Sequence, residues 1–313
     1  MALIRFEPSH PRFCPGSQPV RVGFDPNGPW QMVPYQGTRF LHLSVAGVES
    51  WSVESANPVI ASVSRVDQPG GVDQVLNNVV RVDGLHHGRT FLIARGPKRH
   101  QLGRIEIEVK HQLKRFIRFF LVSDNAGHTT SFTDADTKEW TDFINDEVFT
   151  PQVNAYFQHL STESIKINED IGDPIDFASI GLTPFVKREG DAGRIWHIIT
   201  DSGMLQPEVF NVFCLWDFVN ESIEGKNHAA FVAAKVCTTA EEMANSGVNY
   251  NMCMLKENIR DQSAFKSILA HEAGHFLNRL PAHTEGEELL MTPGAGGLLL
   301  RKSDAMSMNP THG

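Results

Sequence analysis

Two histidines and a glutamate near the end of this chain have the spacing of a metal-dependent hydrolytic site. His271, Glu272 and His275 stand in the order His-Glu-Ala-Gly-His, and the apolar residues around them predict a helix from about Ser263 to Leu277. Side chains four residues apart on a helix share one face, separated by roughly 6 Å along the axis, so both imidazoles can bind one metal ion. Glu272 can then reach a metal-bound water as a general base, which is the chemistry of zinc-dependent peptide hydrolysis.

The segment after this helix adds two further candidates. The chain continues through Asn278 to His283, and after a polar stretch it reads Leu-Leu-Met-Thr-Pro-Gly around Met291. In these residues the sequence resembles the metzincins, a family of zinc peptidases. The resemblance implies that the helix ends in a sharp turn at Asn278, that His283 is the third zinc ligand, and that Met291 forms a methionine turn beneath the metal. Asn278 stands where the family has glycine, and asparagine is the usual second choice for a left-handed backbone.

The third ligand departs from the usual spacing of the family. The family signature places the third histidine ten positions after the first, where this chain has Pro281, whereas His283 follows twelve positions after His271. Glu285 is a second candidate for the third ligand, because carboxylate oxygens also bind zinc. The tyrosine that some metzincins carry after the methionine is absent, since all three tyrosines precede the histidine helix. The expected ligands of a Zn²⁺ cofactor are therefore His271, His275 and His283.

The composition is that of a soluble globular protein with room for two domains. The chain has 313 residues, of which 41% are apolar and 21% are charged. Its net charge of −9 argues against a nucleic-acid partner, and no apolar run approaches the roughly 20 residues that cross a bilayer. The first residues lack the apolar core of a secretory signal, so we expect a cytoplasmic protein or one exported by a route that needs no such signal.

Residues 1–112 have the pattern of an all-β domain. Apolar and polar residues alternate at 41–45 and 105–109, and turn-type residues separate further strand-like runs at 59–66, 79–82 and 90–94. Short strands at this spacing are typical of a β-sandwich. The stretch 37–110 is similar to bacterial immunoglobulin-like domains, so we expect an immunoglobulin-like sandwich here.

Residues 113–313 have a mixed pattern. A strand-like run at 116–122 precedes cap-type residues at 133–137 and a helical pattern, and Pro151 breaks or kinks that helix before the run 153–160. Strand candidates follow at 164–167, 194–199, 209–219, 229–236 and 250–255. The metzincin resemblance implies an α+β catalytic domain with a mixed sheet and two long helices, the second of which carries the ligands.

These expectations combine into a zinc-dependent endopeptidase with an N-terminal immunoglobulin-like module. Its partner would be a protein or peptide substrate that lies extended along an edge strand at 229–236. The missing secretory signal and the appended sandwich suggest a bacterial effector delivered by secretion machinery. Two alternatives remain open, namely a zinc amidase that acts on cell-wall peptides and a binding protein in which the zinc is structural.

Overall fold

The structure is a computed structural model of the chain, and it describes residues 3–8, 23–66, 78–176, 208–219, 230–233, 252–257, 265–278, 289–291 and 297–310. The strands are β1 (Leu3–Pro8), β2 (Phe24–Asp25), β3 (Trp30–Pro34), β4 (Thr38–Ala46), β5 (Ser52–Ser55), β6 (Ala61–Arg65), β7 (Val79–Gly84), β8 (Gly88–Arg95), β9 (Gln101–Lys110), β10 (Leu113–Ser123), β11 (Ala155–Lys166), β12 (Ile175–Asp176), β13 (Val209–Leu215), β14 (Phe218–Val219), β15 (Ala230–Ala233) and β16 (Met252–Lys256). The helices are α1 (Asp134–Phe143), α2 (Thr150–Val153), α3 (Phe265–Asn278) and α4 (Lys302–Met308), and a π-helical segment (Ile144–Phe149) joins α1 to α2. Within the described ranges, no helix is long and apolar enough to cross a membrane.

The chain divides into two compact units, and each is assembled from more than one segment. The first unit comprises Met1–Leu113, Asn145–Tyr156 and Leu298–Gly313, and the second comprises Lys114–Ile144 and Phe157–Gly297. The chain therefore returns to the first unit twice after leaving it. The boundary between residues 112 and 113, as the limit between two separately folding domains, stays a prediction.

The first unit is built around two sheets that share one hydrophobic core. One sheet has the order β1-β4-β7-β6, with antiparallel neighbours. The other has the order β2-β3-β9-β8-β5, in which only β3 and β9 run parallel. Leu41 and Leu43 of β4 share the core with Ile105 and Ile107 of β9, and all four are fully buried. Each such side chain contributes about 1.5–3 kcal/mol on burial, so the alternating sequence pattern places the apolar faces inward.

A buried ion pair joins the end of the chain to this unit. The Lys110 ammonium lies 3.2 Å from a Glu108 carboxylate oxygen, and the two side chains are 1% and 0% exposed. Lys110 also donates to the backbone carbonyl of Asn309, and the Trp30 indole N–H donates to Glu108 at 3.1 Å. Burial lowers the pKa of Lys110, while the charge of Glu108 and the hydrogen bond to it act in the opposite direction. The residues just after α4 are thus held by a charged group inside the first unit.

The second unit contains a mixed five-stranded sheet with the order β11-β10-β13-β16-β15. Strands β10, β13 and β16 run parallel, and β15 at one end of the sheet is antiparallel to β16. Every residue of β13 is buried, which is typical of a central parallel strand covered on both faces. Phe120 of β10 stacks on Phe213 of β13 at a centroid distance of 4.7 Å, which strengthens the packing between these neighbours.

Helix α1 begins where the cap-type residues predict it. The Thr133 hydroxyl accepts a hydrogen bond from the Asp136 backbone N–H, and the Asp136 carboxylate accepts one from the Thr133 N–H at 2.8 Å. This reciprocal capping box satisfies two otherwise unpaired donors at the start of the helix. Trp140 on the buried face of α1 packs against Phe119 and Phe132.

The strand expected at 164–167 begins much earlier in the structure, at Ala155. Asn154 ends α2 in the left-handed conformation, with φ of 53°, and β11 starts at Ala155. Ala155 and Phe157 are buried whereas Tyr156 is exposed, which is the period of a strand rather than a helix. The strand expected at 194–199 lies outside the described residues.

These elements confirm the coarser fold prediction, a β-rich protein with several sheets, a few helices and more than one compact unit.

Candidate metal centre

Helix α3 carries the predicted histidines and lies against β15 and β16. Phe276, the neighbour of His275, packs on Phe157 of β11 and Phe210 of β13 at centroid distances of 6.1 and 5.3 Å. Both of these phenylalanines lie at the beginning of their strands. The histidine-bearing end of α3 is therefore near the amino-terminal ends of the parallel strands.

The structure brings the His271 and His275 imidazoles together. Their Nε2 atoms lie 3.1 Å apart, and the ring planes are inclined by 86°. Two zinc–nitrogen bonds of about 2.0–2.1 Å at a near-tetrahedral angle separate the nitrogens by roughly 3.3 Å, so this pair fits one zinc ion. Without metal, the same separation suits an N–H···N hydrogen bond, in which one Nε2 carries the proton that a metal would replace.

The other ring nitrogen of His271 has a defined partner. Its Nδ1 lies 2.6 Å from the backbone carbonyl oxygen of Leu290. A carbonyl oxygen only accepts hydrogen bonds, so Nδ1 carries a hydrogen and the neutral ring presents its lone pair at Nε2. Metal-binding histidines in proteins commonly use their second nitrogen in this way, which fixes the orientation of the ring.

This contact also locates the methionine expected beneath the metal. Met291 directly follows Leu290, and the two side chains are 0% and 2% exposed. The segment around Met291 thus lies beside the first histidine of α3, although 20 residues separate His271 from Met291 in the sequence. Its role as a methionine turn stays a prediction.

Glu272 is buried beside the histidine pair, with 7% of its surface exposed. Cys253 of β16 is a fully buried thiol. Burial raises the pKa of Cys253 well above its ordinary value, and the negative charge of Glu272 adds to this effect. The charge of the buried Glu272 therefore acts on Cys253 of β16.

The candidates for the third metal ligand belong to the segment after α3. His283, Glu285 and Pro281 lie outside the described residues. Asn278, expected to end the helix, is the last residue of α3, and the turn after it also lies outside the described residues. The choice between His283 and Glu285 therefore stays a prediction.

A second group of metal-ligating side chains in this unit was not identified from the sequence. One ligand atom from each of Asp124, His128 and Asp170 can be chosen so that all three lie within 4.8 Å of one another. His128 Nδ1 lies 2.8 Å from an Asp124 carboxylate oxygen and 4.0 Å from an Asp170 oxygen. The sequence signal was weak, because Asp124 and His128 belong to a turn-like stretch and Asp170 follows more than 40 residues later.

Hydrogen bonds and nearby charges shift the pKa values of both Asp124 and His128. The hydrogen bond to Asp124 raises the pKa of His128; burial opposes it, and the charges of Asp124, Asp173 and Asp170 reinforce it. For Asp124, burial acts to raise the pKa, but hydrogen bonds from the His128 side chain, the Ile171 N–H and the His128 N–H outweigh it and lower the pKa. The cluster is thus a region of concentrated negative charge.

Comparisons with known proteins do not assign the chain to a family. No family model and no curated protein matches it. Among solved structures, it is similar to domains 5–6 of the S-layer protein SbsC at 15% identity, over 25% of this chain and 38% of that chain, with a TM-score of 0.19. A second similarity, to domains 4 and 5 of SbsC, has 17% identity over 25% and 45% of the two chains and a TM-score of 0.18. A third, to a sialyltransferase from Photobacterium damsela, has 8% identity over 63% and 37% of the two chains and a TM-score of 0.23. The chain spans less than half the length of each of these structures, and TM-scores this low carry no argument about its fold or activity.

Proposed function

We propose that this chain is a zinc-dependent endopeptidase that resembles the metzincins, with an N-terminal immunoglobulin-like module. The observation that carries the proposal is the 3.1 Å separation of the His271 and His275 Nε2 atoms, with His271 Nδ1 held by the Leu290 carbonyl. Both features are what a zinc-binding histidine pair requires, since lone pairs must converge and the second nitrogen must be fixed.

The residues divide the chemistry between them. His271, His275 and His283 would hold the Zn²⁺ ion, which when bound polarises a peptide carbonyl and makes water more acidic. Neutral imidazole ligands leave the full charge of the ion in place, which favours both effects. Glu272 would accept a proton from the attacking water and return it to the leaving amine. Its burial supports this role, because a carboxylate shielded from bulk water interacts more strongly with a reacting group nearby.

The sheet offers a place for an extended substrate. Among the described residues, strand β15 pairs with β16 on one side and stands at the end of the sheet order, next to α3. A peptide could add to this sheet by backbone hydrogen bonds, which require no particular substrate side chains. This arrangement supports peptides as the substrate class.

The test compares Glu272→Gln with Glu163→Gln in the full-length, zinc-loaded protein. Glu163 is an exposed residue at the far end of β11, so its substitution controls for the loss of one negative charge. We expect Glu272→Gln to keep its zinc but to cleave a quenched-fluorescence peptide library about 10²–10⁴-fold more slowly, as is typical when a general base is removed. Glu163→Gln should cleave as the wild type does. Near-normal turnover by Glu272→Gln would contradict the mechanism.

Two further assays separate the alternatives. Release of peptides from purified cell wall, without cleavage of the library, would identify a zinc amidase instead. A bound zinc that fails to take up a hydroxamate inhibitor would indicate a closed structural site, and the binding-protein alternative would replace the peptidase.

A further inference from the structure

We propose that Asp124, His128 and Asp170 form a second site for a divalent transition metal, separate from the histidine pair of α3. The site goes beyond the proposed peptidase activity, because it needs none of the residues on α3.

The two sites lie at opposite ends of the strands of one sheet. Asp124 directly follows β10, and Asp170 comes four residues after the end of β11. The indole of Trp216, which directly follows β13, lies 5.5 Å from the His128 ring. The cluster is therefore at the carboxyl ends of the strands, whereas the α3 histidines lie near the strand beginnings. The crevice outside the carboxyl ends of parallel strands is the usual ligand-binding edge of an open sheet.

The loop around Asp124 is already organised around this carboxylate. Its Oδ1 accepts the His128 backbone N–H at 2.9 Å, and its Oδ2 accepts the His128 Nδ1–H at 2.8 Å and the Ile171 N–H at 3.3 Å. The Asp124 side chain is fully buried, and that of His128 is 29% exposed. The Trp216 indole N–H donates to the Gly172 carbonyl at 3.1 Å, which holds the segment that carries Asp170. Two of the three ligands are thus held in place before any metal binds.

The donor set and its dimensions select the class of metal. The 2.8 and 4.0 Å separations from His128 Nδ1 fall within the range of about 2.8–4.4 Å that ligands at about 2.0–2.2 Å from a common ion span. A bound ion would take the place of the hydrogen on His128 Nδ1, which would move to Nε2 of a neutral ring or leave a protonated ring for solvent. One imidazole and two carboxylates suit Zn²⁺ or Mn²⁺, whereas Ca²⁺ and Mg²⁺ prefer oxygen ligands alone. Asp170 is 68% exposed, so its side chain can adjust to the ion, and water can complete the coordination.

The charge at the cluster also calls for a cation. Asp124 and Asp170 carry two negative charges, and the nearby Asp173 adds a third. A divalent ion would offset two of these charges. A metal ion would in this way join the loop after β10 to the loop after β11.

The experiment measures Zn²⁺ binding by the full-length protein in a His271→Ala/His275→Ala background. Removal of both histidines abolishes zinc binding at the α3 site. Any Zn²⁺ that remains bound is therefore at another site. We expect about one equivalent of Zn²⁺ to remain bound after equilibrium dialysis. Adding Asp170→Asn should weaken this binding by about tenfold or more, because a ligand is lost. Asp170 is exposed, so the substitution should leave the fold intact.

The matched control is Asp173→Asn, which removes the same charge from the same loop without removing a ligand. We expect Zn²⁺ binding by this variant to stay within a few-fold of its parent. The stoichiometry is also measured in the protein with intact α3 histidines, where Asp170→Asn should lower it from two equivalents to one. The proposal is overturned if the His271→Ala/His275→Ala protein binds no Zn²⁺, or if Asp170→Asn and Asp173→Asn weaken binding equally.

Discussion

The Nε2 atoms of His271 and His275 face each other at 3.1 Å, one helical turn apart on α3. The Leu290 carbonyl oxygen accepts a hydrogen bond from His271 Nδ1. The space between the two Nε2 atoms can therefore hold one hydrogen or one metal ion. For both rings to bind one metal ion through Nε2, each must be neutral and carry its hydrogen on Nδ1. The helix alone explains the spacing of the two side chains, and the contact with Leu290 explains their orientation.

Substitution of either histidine should remove zinc from the α3 site. We expect His271→Ala and His275→Ala each to weaken binding severely, because one ligand of a chelating pair is lost. Competition titrations against a chromophoric chelator measure the zinc affinities of the parent and the two variants. Zinc affinities of both variants equal to that of the parent would mean that the pair is not the binding site.

His283, rather than Glu285, should be the third ligand. A neutral imidazole leaves the site with the full charge of the ion, whereas a carboxylate offsets part of it, and the zinc-bound water then ionises less readily. His283→Ala should weaken zinc binding severely, and Glu285→Ala should change the affinity only a few-fold. The reverse order in a zinc-competition titration would move the assignment to Glu285 and away from the metzincin pattern.

The buried Lys110–Glu108 pair should make the first unit sensitive to the loss of one partner. Lys110→Met removes the buried cation beside Glu108 and leaves the carboxylate with the half-exposed Arg89, whose Nε lies 3.5 Å away. Because this partner is partly in water, we expect a loss of up to about 3–5 kcal/mol in the free energy of unfolding. The Lys110→Met/Glu108→Gln double variant should recover much of this loss, because neither position then carries a buried charge. Chemical denaturation with two spectroscopic probes gives the values.

Lys138→Met is the control for this pair. Lys138 contacts Asp134 at 2.5 Å, but their side chains are 59% and 55% exposed. An exposed pair contributes little to stability, so the change in unfolding free energy should be much smaller than for Lys110→Met. Equal losses of unfolding free energy for Lys110→Met and Lys138→Met would show that burial does not increase the contribution of the Lys110–Glu108 pair to stability.

The Asp124–His128 pair should make stability depend on pH in a chelated, metal-free protein. The folded-state pKa of His128 is raised, so its contribution is complete below its unfolded pKa of about 6.5 and is lost as the pH rises through the folded-state value. The folded-state pKa of Asp124 is lowered, so its contribution is present above about 3.9 and is lost as the pH falls through the folded-state value.

His128→Gln should therefore destabilise the protein more at pH values just below about 6.5 than at strongly alkaline pH. In an Asp124→Asn background, this pH dependence should be much smaller, because the carboxylate that raises the pKa is gone. Thermal unfolding at a series of pH values compares the four proteins. An equal effect of His128→Gln at all pH values would contradict the ion-pair explanation.

Local patterns in the sequence were sufficient wherever neighbouring residues decide the structure. The alternation at Leu41 and Leu43 predicted a half-buried strand because strand side chains alternate between faces. The spacing of His271 and His275 predicted two imidazoles on one face because the helical repeat alone places them there. The limits of such patterns appear at Asn154, where one left-handed residue ends α2 and starts β11 far earlier than expected.

Only the tertiary structure decided the features that depend on residues distant in sequence. The Leu290 carbonyl reaches His271 across 19 residues, and the Asp170 carboxylate joins His128 from the loop after another strand. The end of the chain returns to Lys110 across 199 residues. A periodic pattern in the sequence cannot predict these contacts. They depend on how strands and helices pack and on which buried polar groups form hydrogen bonds. The sequence by itself determined which side chains can perform chemistry, and the fold determined which of them meet.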